Sequence, residues 1–326
     1  MPDFDMAFEH SYPGAGGLAL SIAPIFTSPC DLATRLPGLI AEFLDLEEHL
    51  KRRFREDSVT DILIASLLSL PGDNVVVLTP PEAKTGGDFD LVLVEPMSGK
   101  AVQFRIQAKR LTPHKTNWMT SSYVELAHPH NNGGQSAKLI KALARETIPT
   151  IPLYMFYNPA SICAASDGAI DGIALASGWE IRERVKTMVQ VKPKRLPYKR
   201  IGSLEPLFFP LTTLLCPPPA RSSASLFPHP EEVRAEVERA IEGRTGLAGI
   251  DQTTRIEGQT VRRLPGKTDR SVAIADRRRA VRHRDGNDLP VAIQAAIARR
   301  GERIIRMRGP RQRIILIADG TDTPME

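Results

Sequence analysis

Glu56, Asp88, Gln107 and Lys109 are the side chains whose types and spacing could do chemistry together. Two carboxylates and an amide oxygen are hard ligands. They suit Mg²⁺, with Mn²⁺ as a substitute, because such an ion binds few protein groups and keeps several waters. Phosphodiester hydrolysis uses a metal in this way, to polarise phosphate and lower the pKa of a water. A lysine beside the metal can orient that water or stabilise charge developing on the phosphate.

The elements that must position these groups are legible from periodicity. Residues 31–56 and 57–70 carry helical patterns, with Asp31 as the expected N-cap and Pro71-Gly72 as the stop. Asn74 to Thr79 is a β-branched run. Asp90 to Glu95 and Ala101 to Lys109 alternate as strands around the Ser98-Gly99-Lys100 turn. Strands joined by so short a turn pair antiparallel, which brings the start of one beside the end of the other. Asp88 therefore lands near Gln107 and Lys109, which share a face because the strand period is two. Gly86 and Gly87 would allow a bend before Asp88. Glu56 arrives from the preceding helix, where Asp57 and Asp61 compete for its role. Asp90 is either a second ligand or an outward polar residue.

Further along, a helix is expected over 133–145, a strand over 151–157 and a helix over 178–191. This order predicts an α/β fold with a central mixed sheet flanked by helices. The expected organisation is an irregular arm over 1–30 and a core over 31–192. A Pro/Ser-rich linker or wrap covers 193–229, and 230–326 forms a basic C-terminal region, read as a small α/β module with a helix over 289–300 and a strand over 313–318.

Composition narrows the class. The chain has 326 residues, 42% of them hydrophobic, and a net charge of +5. Basic balance favours polyanions, because Lys and Arg release counterions from phosphate. Arg277, Arg278 and Arg279 head a basic stretch that is either a nucleic-acid clamp or a solvated segment. His128 and His130 read as a loop, since no matching Cys or carboxylate spacing supports zinc. Cys30, Cys163 and Cys216 are far apart and odd in number, and are expected to be free thiols. No apolar run is long enough to span a membrane and no secretory signal is apparent, so a cytoplasmic protein is expected. No P-loop is present, which argues against a nucleotide-driven motor.

Asp88, the strand turn and Gln107-x-Lys109 resemble the core of the PD-(D/E)XK nuclease superfamily, in the variant where glutamine replaces the middle acidic residue. The similarity extends to Glu56–Asp61, Thr85–Asp88, Gln107–Leu111, Gln135 and Tyr154–Asn158, and points to an uncharacterised bacterial family within that superfamily. It implies a restriction-endonuclease-like fold and metal-dependent cleavage of nucleic acid, DNA more than RNA, in defence against foreign DNA. It also implies that Gln135 faces the site and touches phosphate, and that Arg110 helps hold nucleic acid. A homodimer or a separate defence partner is compatible with this. The alternative is an inactive nucleic-acid-binding, sensor or scaffold subunit on the same fold.

Overall fold

The computed structural model describes residues 24–47, 50, 54–79, 88–114, 117–127, 134–141, 143, 146–190, 199–217, 225–247, 289–306 and 312–318. Gly86, Gly87, His128, His130 and Arg277–Arg279 lie outside them. The first helix, α1 (Pro29–Leu46), is capped by Ser28, not by Asp31: the Ser28 hydroxyl accepts from the Asp31 N–H at 3.1 Å, and Asp31 sits in the first turn. Serine with proline at N1 is a stronger start signal than an acid one turn later. The second helix, α2 (Glu56–Leu68), begins on the candidate glutamate itself.

The architecture is a mixed α/β sheet of eight strands flanked by helices. The strands are β1 (Val75–Thr79), β2 (Phe89–Glu95), β3 (Lys100–Arg110), β4 (Thr150–Tyr157), β5 (Ile173–Ser177), β6 (Phe209–Pro210), β7 (Ile304–Arg306) and β8 (Gln312–Ile317). Their spatial order is β6-β5-β4-β3-β2-β8-β1-β7. The β2–β3 hairpin is antiparallel, with Phe89 opposite Ile106 and Glu95 opposite Lys100. Gly99 closes its turn at φ 66°, a left-handed conformation that costs glycine nothing.

The remaining helices are α3 (Gly134–Lys141), α4 (Ala160–Ala165), α5 (Gly178–Gln190), α6 (Ile201–Leu204), α7 (Thr212–Leu215), α8 (Pro230–Leu247) and α9 (Val291–Ala298). One face of the sheet is continuously apolar. Phe104, Ile106 and Ala108 of β3, with Leu153 and Met155 of β4, pack under α1, α2, α7 and α8. The other face carries two separate apolar clusters. Tyr154, Phe156, Ile181 and Ile201 form one, and Val92, Ile315, Ile317 and Ile293 form the other. Between them β3 turns Gln103, Arg105, Gln107 and Lys109 to this face, all buried. Burial of charge without partners is costly, so this polar row must be satisfied from within.

Two expectations are corrected here. The C-terminal strands are not a separate module: β8 lies between β2, parallel, and β1, antiparallel, in the middle of the sheet. Ile314 to Ile317 are all fully buried, as befits a central strand. In the proline-rich stretch, Ile201, Leu204, Leu207 and Phe208 fill one cluster while Leu211, Leu214 and Leu215 fill another, as a wrap over the core would. And Cys30 is bonded to Cys216, joining the start of α1 to the end of α7. Only Cys163 is free. Sequence separation hid this pair, because 186 residues part the two cysteines while the fold brings their Cα atoms to 4.8 Å. A cross-link closing so long a loop restricts the unfolded chain strongly. Oxidised protein is therefore expected to exceed Cys216→Ser in stability by about 2–5 kcal/mol. Denaturant unfolding with and without reductant checks this, and a difference below about 0.5 kcal/mol would count against the bond.

Candidate active site

The hairpin and α2 bring the four sequence-predicted residues together. Asp88 stands immediately before β2, and its N–H donates to the Ile106 carbonyl at 3.0 Å. Its carboxylate accepts the Ala108 N–H at 2.6 Å and the Gln107 side-chain amide at 2.9 and 3.0 Å. Two residues on, the Lys109 ammonium donates to Glu56 Oε1 at 2.8 Å. Lys109 is only 2% exposed, so this is a charge pair shielded from water rather than a surface contact.

Glu56 reaches that point because it is the first residue of α2, whose N-terminal dipole favours a carboxylate. Its turn is tied to the sheet. The Thr60 hydroxyl donates to the Glu56 carbonyl, so the Tyr157 hydroxyl, 3.0 Å away, must donate to Thr60. Tyr157 lies on β4 opposite Arg110.

The Gln107 amide decides what the site can hold. A carboxylate demands a donor, so Nε2 faces Asp88. The oxygen Oε1 must then turn away, and it is buried with no hydrogen-bond partner. A buried acceptor left open costs free energy unless something donates to it or coordinates it.

The electrostatics point the same way. Burial pushes the Glu56 carboxyl up to about 7, with Asp88 adding to the rise and Lys109 opposing it. Burial also raises Asp88, against the pull of Lys109 and the Ala108 N–H. The field of both carboxylates reaches β4, where burial and the charges of Asp88 and Glu56 raise the Tyr154 hydroxyl. Asp57 and Glu125 add negative potential from outside, the first on Asp88 and the second on Glu56. Glu125 had no sequence signal, because only folding brings its short 3-10 turn near α2. Two carboxylates held above their ordinary range and an orphan amide oxygen form a donor set that a divalent cation would relieve. Among the described residues no group of three His, Cys, Asp or Glu side chains is placed to hold a metal. Mg²⁺ needs no such cage, since one or two carboxylates and waters suffice. The residues present are of the type that fits such an ion, and Glu56, Asp88 and Gln107 Oε1 are the oxygens that would hold it.

Glu56 has a consequence for stability. Its folded pKa, about 7, lies above the ordinary value of 4.5. Between those values the folded state holds a proton that the unfolded state has released, so stability falls as pH rises through that window. The full drop is on the order of 3 kcal/mol. Metal-free Glu56→Gln is expected to lose this slope, which denaturation between pH 4.5 and 7.5 measures. Equal slopes in the two proteins would refute the raised value.

Other predicted residues are placed differently. Asp90 is no ligand. It is buried and paired with Arg105 at 3.0 Å, with Arg313 at 3.6 Å. Arg105 also binds Glu146. Arg110 does not face outward to nucleic acid: it points to the face opposite Lys109 and binds Glu47 at 2.6 Å and the Phe54 carbonyl at 2.8 Å. Alternation along β3 imposes this, since neighbouring residues take opposite faces. Gln135 lies half-buried in the first turn of α3, which packs on α5, and no bond joins it to the four among the described residues.

The fold and site define a mixed α/β protein with a buried acid–amide–lysine constellation at the mouth of a hairpin. The chain belongs to a family of unknown function, DUF6615, whose model matches residues 29–323. No curated protein and no solved structure matches it. No helix among the described residues is long and apolar enough to cross a membrane.

Proposed function

We propose that the protein is a metal-dependent nuclease hydrolysing phosphodiester bonds, with DNA the preferred substrate. The observation that carries this reading is the buried Lys109 ammonium bonded to Glu56, with the Asp88 carboxylate and the unpartnered Gln107 Oε1 at the adjoining hairpin. When bound, Mg²⁺ supplies charge neutralisation at the scissile phosphate and acidifies water. Glu56 and Asp88 would hold the ion through their carboxylates. Asp88 orients Gln107 by accepting its amide N–H, which leaves Oε1 as the oxygen that would be offered to an ion. Lys109 would position the attacking water or steady charge on the phosphate. The net charge of +5 supports a polyanionic substrate. A restriction-endonuclease-like fold and a role in defence against foreign DNA come from the resemblance to Q-x-K nucleases.

The test incubates purified protein with supercoiled DNA and with single-stranded RNA, in Mg²⁺, Mn²⁺ or EDTA. Cleavage in either metal, none in EDTA and none with Lys109→Ala is expected. Salt-sensitive binding with no cleavage in any metal would instead favour a non-catalytic binding module.

A further inference from the structure

We propose that Glu47 and Arg110 are positioning residues of the candidate site, forming a clamp that fixes the start of α2 to the exit of β3. Glu47 is the C-cap of α1 and is buried, only 5% exposed. Its two carboxylate oxygens have separate tasks. Oε2 accepts the Phe54 N–H at 2.9 Å, and Oε1 accepts Arg110 Nη2 at 2.6 Å. The third side closes when Arg110 Nη1 donates to the Phe54 carbonyl at 2.8 Å. Phe54 stands two residues before Glu56, and Arg110 follows Lys109. The triangle therefore joins the two chain segments that carry the Glu56–Lys109 pair, two residues from one partner and one from the other. Charge-assisted bonds from a planar guanidinium hold direction as well as distance. Glu47 caps α1, which carries none of the four site residues, so α1 supplies the anchor.

The clamp's link to catalysis rests on the nuclease reading, but its geometry does not, and two measurements separate them. The variants are E47Q and R110K. The glutamine amide can accept only one of the two bonds, and its NH₂ opposes the other donor. Lysine keeps the charge but loses the fork. Circular dichroism and thermal melting establish that each variant folds, and R110K carries the test if E47Q does not.

The first measurement is the ¹H–¹⁵N signal of the Lys109 ζ-ammonium, whose protons exchange slowly while held by Glu56. Loss of that signal in both variants is expected, and its persistence in both overturns the clamp. The second is DNA cleavage in Mg²⁺. An intact clamp predicts that kcat falls on the order of tenfold to a hundredfold with KM nearly unchanged, as for a small misplacement of catalytic groups. A rise in KM confined to R110K, with kcat intact, would make Arg110 a phosphate contact and overturn the proposal. If the wild type cleaves nothing, the nuclease reading fails, and the Lys109 signal alone decides the clamp.

Discussion

Lys109→Met is expected to silence metal-dependent cleavage, by about 10²–10⁴-fold, while leaving the fold intact. Methionine keeps the unbranched apolar stem of lysine and lacks only its terminal ammonium, so the buried position stays filled. What disappears is the ammonium 2.8 Å from Glu56, and with it the group that would meet water or phosphate. The same substitution makes a second demand that does not depend on turnover. Lys109 is the largest influence lowering the Glu56 pKa against burial. Without it the Glu56 midpoint must climb above about 7 in metal-free protein, and the carboxylate must take up a proton at neutral pH. Carboxyl ¹³C titration of Glu56 in both proteins reads this directly. A variant that cleaves normally would dismiss the assigned role, and an unmoved midpoint would dismiss the pairing itself.

Arg105→Met is expected to destabilise the protein by about 3–5 kcal/mol, since it strips the partner from a buried carboxylate. Arg105 and Asp90 are 2% and 1% exposed and face each other across the β2–β3 ladder. Asp90 keeps a longer contact with Arg313, and Glu146, at 19% exposure, can turn to water. The penalty therefore falls chiefly on Asp90. Urea unfolding measures it, and a loss below about 1 kcal/mol would mean that the pair behaves like a surface ion pair. The double variant Arg105→Met with Asp90→Leu is expected to recover most of the loss, because apolar replacement of a whole buried pair is close to neutral. Arg105 shares a face with Gln107 and Lys109, yet its charge is spent inside the sheet. That is why it supports the site's platform rather than its chemistry.

The sequence by itself determined the parts governed by short-range rules. Alternation along residues 101–109 and the Ser98-Gly99-Lys100 turn before them dictate the hairpin, and the hairpin alone places Asp88 beside Gln107. The same periodicity puts Gln107 and Lys109 on one face, and it also puts Arg110 on the other, where the structure finds it bound to Glu47. The apolar run Ile314–Ile317 announced a buried strand, but not its neighbours. Only the tertiary structure decided that β8 enters between β1 and β2, that β5 and β7 extend the sheet, that Cys30 meets Cys216 and that Glu47 clamps the start of α2. Each of these contacts joins segments parted by intervening elements. Their pairing is chosen by which edges and faces remain to be covered once the local pieces have formed, and no local pattern of residues encodes that choice.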